Sequence, residues 1–223
     1  GQFTEKSKYM VFYPGKSGNQ NQVTISADQE QAVPNNSTHF GPSGDCGTAD
    51  AVGTIGGSNF SFRLNHQATY IIFQPYTTNS LIQNCYLTKI EVNSNDDISG
   101  TYTLNLTTGT LTGNGSKKQI TLTTKGSGEY SNGFLLTNNA SDNVSFMVVK
   151  PGTHTFKVRY WIKDKNTNTE GTITKTYVSQ TLDKNKYYKI SDNVSPREYK
   201  TGNYYMWDAQ NHYWYGHETS QPT

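Results

Sequence analysis

An all-β sandwich is the fold class this chain predicts, and three observations carry that expectation. Thr, Asn and Ser fill about a third of the 223 positions while Ala is rare, so β-branched and turn-forming residues stand where a helical protein keeps its best helix formers. Core bulk comes from 16 Tyr, 9 Phe and 3 Trp, ring systems that suit half-buried sheet surfaces. Apolar and polar residues also alternate with period two, in short runs separated by clusters of Gly, Asn, Asp, Ser or Pro. Leu, Ile, Val and Phe together make up only 41 residues. That level would indicate disorder in a highly charged chain, but a net charge of +2 places this one among ordered proteins.

In chain order the alternation predicts strands over residues 9–13, 22–26, 59–64, 68–74, 84–92, 100–106, 119–124, 134–137, 144–150, 153–163, 171–179 and 186–191. Along 85–92, Tyr86, Thr88, Ile90 and Val92 alternate against Cys85, Leu87, Lys89 and Glu91. Apolar bulk on both sides predicts a mid-sheet position. Residues 143–164 read as a hairpin, because Pro151 presets the first turn torsion and Gly152 accepts positive φ at the second. On the return arm Phe156, Val158, Tyr160 and Ile162 share one face with His154, and Lys157, Arg159, Trp161 and Lys163 form the opposite, solvent-side row. The polar, Gly-rich stretch 26–57 is expected to run over the surface, with Gln29, Gln31, Asn35 and Asn36 solvated. Residues 93–100 and 111–118 read as surface connections, the first held by Asx-turn chemistry and lacking the terminal Glu of a calcium loop.

The alternation ends near Val194. The expected domain is therefore 1–194, followed by a tail over 195–223 that crowds aromatic rings between Tyr204 and Tyr215.

Several function classes lose their footing. Lys and Arg are scattered and form no polybasic footprint for nucleic acid. No apolar run approaches a membrane span, and Gly1 reads as an expression remnant on a chain without its targeting segment. Metal-site, P-loop, dinucleotide and nucleophile-elbow motifs are missing, so no cofactor is expected. His212, His217 and Glu218 are the closest approach to a metal set. A glycosidase would need two acids across a cleft, for which Asp45, Asp50, Asp96 and Asp97 are the available residues. Cys46 and Cys85 have no CxxC spacing. Either they form one disulfide in an exported protein or they are free thiols. Sugar stacking is the binding chemistry the composition supports, with Trp207, Tyr213, Trp214 and Tyr215 as candidate ligand contacts; the alternative is a strap that buries these rings on the sandwich.

Six segments in order, "KYMVFYPG" (8–15), "ADQEQ" with "NNSTHFG" (27–41), "FSFRLNHQATYIIFQ" (60–74), "LTKIEVNSNDDISGTYTLN" (87–105), "FMVVKPGTHTFKVRYWIKD" (146–164) and "LDKNKYYKISDNV" (182–194), resemble the fimbrillin-like proteins of Bacteroidales. The resemblance implies a transthyretin-like Greek-key antiparallel β-sandwich. It also implies export as an outer-membrane lipoprotein whose lipid-bearing Cys precedes Gly1, and assembly into surface pili by strand exchange. Implied partners are other fimbrial subunits and a surface glycan or protein. The exchangeable edge strand would be Tyr9, Met10, Val11, Phe12 and Tyr13, released by a trypsin-like protease with Arg specificity. The chain departs from that pattern in having Arg only at 63, 159 and 197, the first two inside predicted strands, so Lys6, Lys8 or Lys16 would have to serve.

Overall fold

The computed structural model describes residues 5–196. In chain order these form β1 (Lys8–Tyr13), β2 (Gln22–Ile25), β3 (Asp28–Gln31), a short helix α1 (Phe40–Ser43), β4 (Gly47–Gly53), β5 (Phe60–Ser61), β6 (Asn65–His66), β7 (Thr69–Phe73) and β8 (Tyr86–Ser94). They continue with β9 (Gly100–Asn105), β10 (Thr110–Thr112), β11 (Gln119–Thr124), β12 (Phe134–Leu135), β13 (Ser145–Val149), β14 (Gly152–Lys163), β15 (Glu170–Leu182) and β16 (Tyr187–Ile190). Every predicted run contains a strand. β3, β4, β6 and β10 lie where none was expected.

The largest sheet has the order β15-β14-β8-β11-β3, with β12 beside β8; the others are β13-β7-β16, β10-β9-β2, and β1-β4-β5 with β6 also on β4. The protein is the expected all-β sandwich. Two pairs, β3 with β11 and β7 with β16, are parallel. One continuous core joins the large sheet (Leu87, Ile90, Ile120, Leu122, Val158) to Ile71, Phe73 and Met147 opposite and to Val23, Tyr102 and Leu104 of the β10-β9-β2 sheet. Phe73 meets Tyr160 edge-on across the layers at 6.3 Å.

β14 keeps its predicted sidedness: Phe156, Val158 and Tyr160 are buried and Lys157 is exposed. On the outer row Lys89 Nζ sits 4.0 Å over the Trp161 ring, and Arg159 pairs with Glu91 at 3.3 Å. β8 is central, as predicted, but its mixed parity has another cause. Lys89 faces Trp161 while Leu87 faces Ile162, so Thr88 is the extra residue of a bulge. The bulge lets Leu87 and Ile90, three apart, both point into the core. β7 is buried on both faces because α1 covers its outer side: Phe40 stacks on Tyr70 at 4.8 Å and meets Phe146 edge-on at 5.8 Å. Gly44 ends α1 at φ 109°, and a Cβ there would lie 2.6 Å from Ile25 Cα.

Three expectations are corrected. Residues 143–164 are not a hairpin: β13 pairs with β7 and β14 with β8 and β15, so Pro151 and Gly152 carry the chain from one layer to the other. The hairpin partner of β14 is β15, through a turn in which Asp164 Oδ1 accepts the N–H groups of Asn166 and Thr167. Arg63 lies outside any strand and is exposed.

The third correction concerns Gln29 and Gln31, which are 2% and 1% exposed instead of solvated. They project from β3 at the end of the large sheet to the open side of β13. Gln29 Nε2 donates to Val148 O at 2.7 Å, and its Oε1 accepts Val148 N–H at 3.0 Å. Gln31 repeats the pattern, donating to Val144 O at 2.9 Å and accepting Phe146 N–H at 2.8 Å. Two primary amides thus stand in for a missing strand, satisfying buried backbone groups that would otherwise be stranded.

Replacing Gln29 by Leu is expected to lower stability by about 2–4 kcal/mol, because a buried donor and a buried acceptor lose their partners together. Urea denaturation measures it. Ala at the exposed neighbour Glu30 should shift stability by less than about 0.5 kcal/mol.

Candidate functional site

The candidate edge strand β1 pairs among the described residues with β4 alone, in unbroken register from Lys8 opposite Val52 to Tyr13 opposite Gly47. None of its side chains is buried; Met10 is 50% and Phe12 38% exposed. Tyr9 meets Phe60 edge-on at 5.2 Å. Together with Val11, Ala51 and Phe62 these two rings line an open, mainly apolar groove of about 480 Å³. The Tyr9 hydroxyl accepts the N–H groups of Glu5 and Lys6 at 3.3 and 3.1 Å, turning the chain back over the strand's start. Lys8 pairs with Asp50 at 2.7 Å, both exposed. β1 therefore contributes a backbone ladder and the lip of a groove, and it does not plug the core.

The carboxylates singled out in the sequence are engaged in separate places. Asp45 Oδ1 accepts the Tyr70 hydroxyl at 2.5 Å and His66 Nδ1–H at 2.7 Å. Asp96 Oδ1 accepts from buried His154 Nδ1 at 2.8 Å. Burial works against the Asp96 charge, but the bonds from His154 and Ser94 hold its carboxyl below the usual range. Asp192, not singled out in the sequence, accepts the hydroxyls of Tyr160 and Tyr177, each at 2.6 Å. Burial first, and the adjoining carboxylate second, push the Tyr70 and Tyr160 hydroxyls up, so both remain donors. These contacts tie β14 and β15 to the chain just beyond β16. Among the described residues no three His, Cys, Asp or Glu converge on a point where a metal ion could be held.

Cys46 and Cys85 are both free and buried, so the disulfide alternative is not what is observed. Burial, then Asp45, pushes the Cys46 thiol up to about 12, which leaves it an unreactive thiol. Cys85 Sγ instead lies 3.9 Å from Asp164 Oδ2. Trp207, Tyr213, Trp214, Tyr215, His212, His217 and Glu218 lie outside the described residues. Phe60 and Phe62, two residues apart on the far wall of the groove, were not picked out in the sequence; their spacing on an alternating run was the available signal.

No family model and no curated protein matches the chain. Solved structures do, among them two described as a "putative cell adhesion protein". The one from Bacteroides ovatus has a TM-score of 0.51 and 17% identity, over 83% of this chain and 62% of its own. The one from Bacteroides uniformis has a TM-score of 0.44 and 16% identity, over 84% of this chain and 68% of its own. The chain thus spans about three fifths of the length of the Bacteroides ovatus structure, and at this identity the likeness establishes a shared fold.

With both thiols buried and unpaired, Ellman's reagent should find none in the native protein at pH 8 and two after unfolding without reductant; zero in both states would mean a disulfide. The depressed Asp96 carboxyl contributes stability that is present above the ordinary carboxylate range and lost as pH falls through its folded value. Asp96→Asn should therefore lower stability near neutrality and flatten the loss below about pH 4, read from urea midpoints against pH.

Proposed function

We propose that this chain is a non-enzymatic module of an exported, cell-surface adhesion protein of fimbrial type, attached to the outer membrane by a lipid upstream of Gly1. In this reading it joins fimbrial subunits, or adheres to a surface glycan or protein, through exchange of β1. The observation that carries the reading is a fold shared over 83% of the chain with a structure described as a putative cell adhesion protein. The exposed setting of β1 supports it further. Taking β1 away would open the edge of β4 over the small buried side chains Ala49 and Ala51 while leaving the main core intact. An incoming strand of like alternation would regain the main-chain ladder. Lys16, in the turn that follows β1, is exposed, as a trypsin-like cut that takes the whole strand away requires.

Treating the full precursor with such a protease should trim the N-terminus through β1, found by mass spectrometry, and then give a ladder of oligomers on gels. A precursor that stays whole and monomeric sinks the exchange mechanism. For adhesion, displaying the chain on a non-adherent bacterium should raise its attachment to glycan- or protein-coated surfaces above that of an undecorated cell; equal attachment would count against an adhesive role.

A further inference from the structure

Among the described residues, the open strand edges of this sandwich are not equivalent. The open edge of β13 is occupied by the amides of Gln29 and Gln31. β2, β3, β5, β10 and β16 run for only two to four residues. β15 is long, but Lys175 stands on its core-side face opposite buried Val158, and its register breaks near Tyr177. An inward charge and an irregular ladder are the devices that keep an edge from pairing with another chain. β1 has neither. It runs for six residues without a register break, with its one charge, Lys8, at the first position.

We infer that β1 pairs with β1 of a second copy, antiparallel about a two-fold axis at Val11, joining two four-stranded sheets into one. The second copy fits because the strand is its own complement. With the axis at Val11, Val11 meets Val11 and Met10 meets Phe12 twice, giving apolar cross-strand pairs on both faces. Lys8 then falls opposite Pro14 at the rim, where the missing N–H ends the ladder. Moving the axis to Phe12 would bring Pro14 into the ladder opposite Met10; moving it to Met10 would set Lys8 against Phe12. The six residues span about 20 Å, a small contact, so the pairing depends on concentration. It concerns the same strand that the exchange mechanism removes, but it needs that strand in place.

Light scattering coupled to gel filtration, over a concentration series of the intact chain, should show a monomer passing to a dimer. A Met10→Lys, Phe12→Lys chain, altered only at exposed positions, should keep its melting temperature and stay monomeric because lysines then face lysines. Mixing it with a Met10→Glu, Phe12→Glu chain should restore a heterodimer. Val11→Cys should give a disulfide-linked dimer under mild oxidation, while Thr174→Cys on β15 should not. A chain that is monomeric throughout, a dimer that survives the lysine pair, or cross-linking through Thr174→Cys overturns the inference. An intact chain that is monomeric but ladders after N-terminal trimming overturns it and leaves strand exchange standing; a dimer that is never trimmed does the reverse.

Discussion

A strand edge buried without a partner is the constraint on which this sandwich turns. β13 lies at one side of its three-stranded sheet, with β7 on one flank and, among the described residues, no strand on the other. Its outward N–H and C=O groups face the large sheet's own last strand, β3, across a seam that water cannot serve. The carboxamide of Gln carries a donor and an acceptor at the spacing of a peptide group, so Gln29 and Gln31 continue the ladder with side chains in place of a neighbouring strand. Short charged residues could not do this, because a carboxylate accepts and does not donate.

The opposite seam is closed by different chemistry. Asp192, just beyond β16, collects the hydroxyls of Tyr160 and Tyr177 from β14 and β15. The same economy recurs where Asp45 gathers Tyr70 and His66, and where Asp96 holds His154. In each case a carboxylate ties segments distant in sequence to one another. These acids fasten parts of the fold to one another.

Against this closed double layer, the β1-β4-β5 sheet is a lighter attachment. Its buried side chains are alanines; Met10 and Phe12, like Phe62 just after β5, are exposed, and Tyr9, Val11 and Phe60 are half-buried. A region that buries little apolar surface opens at low free energy compared with the core. The proposed exchange of β1 and its proposed pairing with another copy would both draw on that difference, because the scaffold is fixed by seams that do not include β1.

The sequence by itself determined where twelve of the sixteen described strands form and which side of β14 is apolar. Period-two alternation located all twelve expected strands, and it set the inward row Phe156, Val158 and Tyr160. Alternation is a local property, blind to what lies across the sheet. It could not say that Pro151 and Gly152 lead between layers, that β3 and β7 have parallel neighbours, or that Thr88 bulges and so reverses the parity of β8. β3 escaped notice because Asp28–Gln31 is polar throughout; its alternation is between charge and amide, which hydropathy does not separate. β1 as an edge strand was legible, whereas its groove was not, since Phe60 and Phe62 reach it only through the pairing of β5 with β4. Tertiary structure decided these points, because whether an amide is solvated or indispensable depends on which unpaired backbone groups the rest of the chain brings to it.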